Sequence, residues 1–459
     1  MFRPVAILVP VIPLLAALGP AACDHPSAGP APATRPAILV ASGDTAGWIT
    51  PCGCTANQSG GLLRRGSYLA GLRTNADVLY VDVGGAPSGD SPYHQAKFAA
   101  ILSGEARMGI MAHNLGRAEL ALGPQRLREL ARDTSAPLIS ANARDAQGQP
   151  IGQLVRIVSA AGRRIAITGI VSPSFATAAV QVREPKAAIL AALQQSREPH
   201  DGLVVLAYMP EDELQQLAAS FPEADVVLGG PTGQPIAPRQ IGPSLLASAT
   251  SKGKFMVQLQ IPAARADAWT GQIVELTSEI SDDPGQSANH RQFLDQLARS
   301  DYPAPQTGLI APPASAPAGF KVAGNMECSF CHGADYQHWS TTAHQNAWNI
   351  LQNKGSHVDP FCQQCHTTGY AMPGGFVSVA HSEDRLGVGC ESCHGPSAAH
   401  VADPRVKTPF RAADQCTQCH DRENSPAFKY DVYWPKIKHG EKAKVTPRGL
   451  AVLRPEDQP

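Results

Sequence analysis

Four Cys-X-X-Cys-His units crowd the last third of this 459-residue chain: Cys328-Ser-Phe-Cys331-His332, Cys362-Gln-Gln-Cys365-His366, Cys390-Glu-Ser-Cys393-His394 and Cys416-Thr-Gln-Cys419-His420. In each unit two thiols bracket a short turn. Each thiol can form a thioether to one haem vinyl group, and the next residue offers an imidazole to the iron. Thioredoxin-like pairs or structural zinc sites would not place His after the second Cys every time. The units use eight of the eleven cysteines. They predict four covalently bound c-type haems, with His332, His366, His394 and His420 as proximal ligands. The segment is short of apolar side chains and of strong periodicity, as expected where cofactors supply the core. Four macrocycles so close in sequence cannot be far apart in space, so electron transfer between neighbours follows, and the segment reads as a wire or an electron reservoir.

Outside these units the same region holds His338, His344, His357, His381, His400 and His439, six imidazoles available to the opposite faces of the irons. The stretches YQHWSTTAH, FCQQCHTTGY, VGCESCHGPSAAH and WPKIKHG resemble the cytochrome c554 family of multihaem cytochromes, over about residues 324 to 441. The resemblance implies distal ligation by His344, His400 and His439, and mixed coordination among the irons. Either His338, His357 or His381 fills the fourth distal position, or that iron is open to a small molecule. Met326 and Met372 are weaker candidates. Tyr336, Trp339 and Trp348 are expected as haem-packing aromatics.

Residues 1–23 open with Arg3, an apolar run and then small residues, the pattern of an export signal. Cys23 resembles the lipid-modified cysteine of a bacterial lipoprotein, although Pro20 stands where such signals usually carry Leu; lipidation there would attach the chain to a membrane. Both features point to the periplasm or an extracytoplasmic membrane surface. Residues 24–35 and 300–319 are rich in Pro and Ala and read as a linker and an extended connector. They bound an N-terminal domain at 36–299 and a tetrahaem domain at 320–445, with a tail at 446–459. The net charge of −1 supplies no basic field for a nucleic acid.

The first domain alternates β-rich runs with helix-like segments. The runs 37–41, 77–83, 164–170, 202–208 and 224–230 are strand-like, several apolar throughout, as suits strands buried on both faces. Residues 62–73, 123–133, 185–197 and 211–221 space apolar side chains three or four apart. The runs 244–250, 254–261 and 271–278 come without intervening helices and predict antiparallel strands. The expected fold is an α/β sandwich followed by a mostly helical and irregular cytochrome domain.

ILVASGDTAG, DVLYVDVGG, MAHNLGRAELALG, GLVVLAYMP and VVLGGPTG resemble, in order, the loop-bearing segments of the metallophosphoesterase domain of bacterial 5′-nucleotidases and their thiosulfohydrolase relatives. By that resemblance Asp44 and Asp82 match metal-ligating positions. Ala46, Arg117, Ala118, Tyr208 and Pro231 fall where the family usually presents His or Asn. A two-metal site needs several N and O ligands converging, so the resemblance implies a retained fold whose metal cage is lost or replaced.

The replacement candidate starts at Pro51. Cys52 and Cys54 can face one soft metal ion, form a redox pair or form a structural disulfide, with His94 or His113 as further metal ligands. Gly60, Gly61, Arg64 and Arg65 could offer N–H and guanidinium donors to an anion. Two functions therefore compete. One is electron transfer between a quinol-linked or other redox donor and a partner protein. The other is a haem-coupled oxidoreductase acting on a small anion or sulfur compound at the Cys52/Cys54 loop. Haem edges can face a partner protein or a second copy of the chain in an oligomer.

Overall fold

The structure is a computed structural model that describes Met1 and residues 35–51, 58–309 and 319–440. The expected export signal with Cys23, nearly all of the 24–35 linker, the Cys52/Cys54 pair, positions 310–318 of the connector and the 446–459 tail lie outside the described residues. No helix among the described residues is long and apolar enough to cross a membrane.

Two six-stranded sheets build the N-terminal part. In spatial order the first contains Thr270–Glu275, Phe255–Gln260, Ala37–Ser42, Asp77–Asp82, Ile110–Asn114 and Leu138–Ile139. The second contains Ile236–Ile241, Ser244–Ser248, Val226–Gly230, Gly202–Tyr208, Arg163–Val171 and Val155–Ala160. Alternation along the strands decides the layering. Every residue of Ala37–Ser42 is buried; Ile38 and Val40 point to an outer helical layer, while Leu39 and Ala41 meet the second sheet. From the other side Ile165, Ile167, Val204, Leu206, Val226 and Leu228 close that inter-sheet layer. Leu203, Val205 and Val227 turn outward onto Ile189, Leu214 and Leu217 of the helices Pro185–Ser196 and Glu211–Ser220. The result is a four-layer helix–sheet–sheet–helix sandwich, each fully buried aliphatic side chain contributing about 1.5–3 kcal/mol.

The runs at 254–261 and 271–278 are antiparallel edge strands of the first sheet, as the sequence predicts. Ser244–Ser248 differs: it runs parallel to Val226–Gly230, because the intervening strand Ile236–Ile241 passes outside it and pairs antiparallel on its far side. Two helices without a clear sequence signal complete the outer layer of the first sheet. Pro92–Arg107 is capped by Ser91, whose Oγ accepts from His94 N at 3.3 Å, and Pro284–Ser300 by Asp283, whose Oδ1 accepts from Gln286 N at 2.8 Å. They meet through polar groups: Gln286 Nε2 donates to Gly104 O and Asn289 Nδ2 to Ala100 O, at 3.0 and 2.9 Å. Gly104 lets the helices approach here: a Cβ would stand 2.6 Å from Gln286 Oε1, and that side chain would have to shift.

Beyond Gly319 the described chain forms short helices and 3₁₀ turns, with helices at Asn325–Ser329, Gly333–Trp339, Ala347–Lys354, Pro360–His366, Cys390–His394, Ala398–Ala402 and Tyr430–Tyr433. One small apolar cluster serves it, centred on Trp348, Leu351, Tyr370 and Phe376. The start of the expected connector is not extended. Ala304–Gln306 makes a 3₁₀ turn, Ala304 N donates to Val377 O at 2.7 Å, and the Thr307 and Tyr370 hydroxyls hydrogen bond at 3.0 Å.

Candidate functional site

Parallel strands deliver their following loops to one end of the sandwich, where open α/β folds bind ligands. The loop after the first strand is held in an unusual shape, with Asp44 and Ala46 in the left-handed region at φ 50° and 47°. It is laced to the next loop by Asp44 N→Gly84 O, Ala46 N→Gly85 O and Gly47 N→Ala86 O, at 2.8, 2.9 and 2.7 Å. Asp44 Oδ2 accepts from Thr250 Oγ1 at 2.8 Å, and burial raises its pKa above the ordinary carboxylate value. Tyr208 is buried beside it, 5.8 Å from the Phe175 ring, and the Arg117 guanidinium lies over the Phe175 ring at 5.9 Å. Tyr208 and Arg117, two of the positions where the resembled family usually presents His or Asn, thus flank Phe175, and Ala46, Ala118 and Pro231 have no side-chain donor to offer.

Asp82 does not join Asp44 in a cage. It lies deeper, with Oδ2 accepting from Ser42 Oγ at 2.5 Å and Oδ1 from Gly84 N at 2.8 Å. Among the described residues, Asp82, Glu105 and His113 form a fully buried trio close enough to share one ion. A cation is already present there. Arg65 Nη1 lies 3.8 Å from Asp82 Oδ2 and 3.5 Å from Glu105 Oε1, and the guanidinium also donates to Ser42 Oγ, Tyr80 Oη and Thr45 Oγ1 at 3.2, 3.2 and 3.0 Å. His113 supplies a second positive charge: Nδ1 reaches Glu105 Oε2 at 2.7 Å and Nε2 reaches Glu119 Oε1 at 3.4 Å, so both nitrogens face carboxylates. Burial disfavours its protonated form, but the Glu105 carboxylate outweighs this and holds the pKa well above the ordinary histidine value. Burial pushes the Glu105 pKa up, and His113 opposes that shift. Arg65 and His113 thus balance Asp82 and Glu105, and the trio does not fit a resident metal ion.

The anion site expected from Gly60, Gly61, Arg64 and Arg65 is not assembled by the described residues. Arg65 has no exposed surface. Arg64 donates to the Gln58 and Leu276 carbonyls. Gly60 N and Leu62 N are taken by Leu276 O and Ile49 O, each at 2.8 Å. His94 Nδ1 pairs with Ser91 Oγ at 2.9 Å, so that nitrogen is already engaged. Glu105 and Glu119, on which the buried network depends, carried no sequence signal.

The Cys-X-X-Cys-His units lie on short helices or 3₁₀ turns that end at or near each His. Three of the four motif histidines have an imidazole facing them: His332 with His400 at 6.2 Å between ring centres, His420 with His344 at 6.2 Å, and His394 with His439 at 6.0 Å. Two imidazoles on opposite sides of one metal stand about 6 Å apart, since each metal–nitrogen bond is about 2 Å and the rest is ring radius. Hydrogen bonds set the tautomers. Nδ1 of His366, His400 and His439 lies 2.8, 2.7 and 3.0 Å from the carbonyls of Ala347, Val406 and Ile437. A carbonyl only accepts, so Nδ1 carries the proton and Nε2 keeps its lone pair for a metal. Burial lowers the pKa values of His344, His366, His394 and His420, favouring the neutral, ligating form.

His366 is the motif histidine without a facing imidazole among the described ring contacts. The other candidates lie elsewhere: His338 is 6.2 Å from His439, His357 packs edge-on to Trp348 at 5.8 Å, and His381 Nδ1 meets Ser378 Oγ at 2.9 Å. His338 Nε2 and His357 Nδ1 are buried without a hydrogen-bond partner. Met326 is 62% exposed and its Sδ accepts from Tyr336 Oη at 3.7 Å. Trp339 Nε1 donates to Val388 O at 2.9 Å, while Trp348 is buried against Phe376. Among the described residues, eight of the ten exposed large apolar side chains belong to this segment, including Phe330, Val401, Val406 and Val432. Apolar surface left bare beside paired imidazoles fits bound porphyrins, whose faces would cover it.

Thiols of different units approach one another. Cys328 and Cys390 are in hydrogen-bonding contact, as are Cys365 and Cys419, and Cys393 neighbours Cys416. The second and fourth units also touch the sandwich. Trp48 packs edge-on against Phe361 at 5.4 Å, Tyr93 Oη donates to Asp359 Oδ1 at 2.7 Å, and Lys252 ion-pairs with Glu423.

Residues 327–395 match the family model described as cytochrome c554 and c-prime. Cytochrome c-554 of Nitrosomonas europaea is 31% identical over 139 residues, an alignment covering 22% of this chain and 59% of that relative, so the chain spans a little over half the length of the relative it matches. A 5′-nucleotidase precursor of Thermus thermophilus superposes with a TM-score of 0.50 at 18% identity, covering 76% of this chain and 73% of that one. Sulfate thiohydrolase SoxB, also of Thermus thermophilus, gives 0.48 at 15% identity, covering 60% and 63%. The C-terminal segment is thus similar to c-type cytochromes over residues 327–395, a likeness that implies covalently bound haem c. The N-terminal domain has the metallophosphoesterase-like α/β fold.

Proposed function

We propose that the chain is an exported tetrahaem cytochrome that relays electrons at an extracytoplasmic membrane surface, between a quinol-linked or other redox donor and a partner protein. The three imidazole pairs 6.0–6.2 Å apart carry this reading, because each joins one motif histidine to one distant histidine at the span of a six-coordinate iron. Haem iron, when bound, supplies the one-electron chemistry. The chain's part is to fix and tune it. Cys328 and Cys331, Cys362 and Cys365, Cys390 and Cys393, and Cys416 and Cys419 would form the thioethers. His332, His366, His394 and His420 would be proximal ligands, and His400, His439 and His344 distal ligands opposite His332, His394 and His420. With His366 unopposed, the second unit would leave one coordination position for a small molecule. Imidazole on both sides holds potentials lower than imidazole with thioether, so the relay is expected at low potential.

Intact mass of the chain from a host that matures c-type cytochromes tests this reading: four haem additions are expected, and fewer would sink it. Electron paramagnetic resonance of the oxidised protein should show three low-spin irons and one high-spin iron.

A second reading, an oxidoreductase working on a small anion or sulfur compound at Cys52 and Cys54, draws support from where that loop is anchored. Its described end Gln58 donates through Nε2 to the Glu423 carbonyl at 3.0 Å, three residues past His420. A soft metal ion or a redox disulfide at the pair belongs to this reading. Replacing both cysteines by Ser separates the two: a relay keeps its rates of haem reduction and partner oxidation, whereas the enzyme loses turnover with its haem spectrum intact.

A further inference from the structure

The loops that place metal ligands in the resembled fold here do something else. Four non-glycine residues on two adjoining loops adopt left-handed backbone: Asp44 and Ala46 on one, Ser251 and Lys252 on the other, at φ 50°, 47°, 71° and 60°. Such conformations persist only where surrounding structure enforces them. These loops present Trp48 and Lys252 to the cytochrome segment. Trp48 meets Phe361, the residue before Cys362, with ring centres 5.4 Å apart and planes at 76°. Lys97 lies over the same Phe361 ring at 5.0 Å. Lys252 lies over the Trp48 ring at 5.1 Å and ion-pairs with Glu423, three residues past His420. Trp48, Lys252 and Glu423 also line one small cavity.

Phe361–Trp48–Lys252–Glu423 is therefore a continuous bridge from the second unit to the fourth, made by the sandwich. A half-exposed ion pair adds little to stability. Held over an aromatic ring that is itself wedged on Phe361, it does fix position.

Resting on the tetrahaem reading above, we infer that Trp48 and Lys252 are positioning residues: they clamp the second and fourth Cys-X-X-Cys-His units at a set spacing and so control electron exchange between them. One electron lost by one unit is gained by the other, with no bond made or broken. The first and third units, in contact at Cys328 and Cys390 just as the second and fourth are at Cys365 and Cys419, are not touched by this bridge and serve as an internal reference.

The test uses the full-length holoprotein and its Trp48→Ala, Trp48→Phe, Lys252→Met and Lys252→Arg variants. Haem content is read by intact mass, and paramagnetic resonance with potentiometric titration reports coupling within each haem pair. Trp48→Ala and Lys252→Met should lose the coupling between the second and fourth units while retaining that between the first and third. Trp48→Phe and Lys252→Arg should preserve both. Wild-type coupling in Lys252→Met at full haem content overturns the proposal, as does equal loss in both pairs. Should Trp48→Ala fail to fold, Lys252→Met decides alone, since its aliphatic stem still covers the ring. A wild-type haem count below four would instead remove the tetrahaem reading itself.

Discussion

Arg65 Nη1 lies 3.5 Å from Glu105 Oε1, and neither side chain has exposed surface. A guanidinium has thus been drawn between two buried carboxylates, one of them Asp82, that geometry alone would offer to a metal ion. A buried pair of this kind is strongly destabilising to break, whatever it adds when intact, because the surviving charge is left uncompensated.

Arg65→Met should therefore cost the N-terminal domain about 3–5 kcal/mol in denaturant unfolding. Adding Glu105→Gln should recover part of the loss. A surface anion-binding arginine would cost less than about 0.5 kcal/mol on removal, so a change that small would exclude the buried-charge role.

His113 gives the same network a pH signature. Its pKa is raised in the folded state, so its stabilisation is complete below the unfolded value of about 6.5 and declines as pH rises toward the folded value. Thermal melting of the N-terminal domain should fall across that alkaline window. The fall should flatten in His113→Gln, and an unchanged slope in that variant would assign the pH dependence to other groups.

His366, which faces no imidazole among the described ring contacts, predicts ligand stoichiometry. Reduced wild-type protein should bind one carbon monoxide per chain, and His344→Ala should bind two, having opened the iron of the fourth unit. Optical titration counts them. No binding by the wild type would place a ligand opposite His366.

The metallophosphoesterase-like loops predict no gain from added metal. With Tyr208, Arg117 and Ala118 where the resembled family usually presents His or Asn, manganese should not raise hydrolysis of a phosphate monoester above the metal-free rate. Saturable, manganese-dependent turnover of p-nitrophenyl phosphate would show a cage formed by other residues.

Much of the architecture was readable in advance where one face or both faces of an element are uniformly apolar. GLVVLAY at 202–208 matches its strand residue for residue. Pro92–Arg107 was not readable, because it is buried around most of its circumference and carries Gly104, Glu105 and His94 among its buried positions, which erases the one-sided pattern. Pro284–Ser300 hides for a related reason: its contact with that helix runs through Gln286 and Asn289. Cys-X-X-Cys-His spacing exposes haem attachment locally. The facing imidazoles are long-range facts, with His332 and His400 sixty-eight positions apart, and only a family resemblance pointed to them. Arg65 shows the limit most directly, since nothing in a basic helix start separates a buried counter-charge from a solvated one.

The sparse apolar cluster around Trp348 and Phe376 has a consequence for biogenesis. The sandwich carries its own core and emerges first from synthesis or export, so it can fold while the cytochrome segment is still open. On the tetrahaem reading, that delay would keep four pairs of thiols accessible for thioether formation, and each haem would add apolar surface to the segment's interior. The finished sandwich, with Trp48 and Tyr93 in place, would then offer Phe361 and Asp359 a preformed surface, so that haem attachment and folding would proceed in one order.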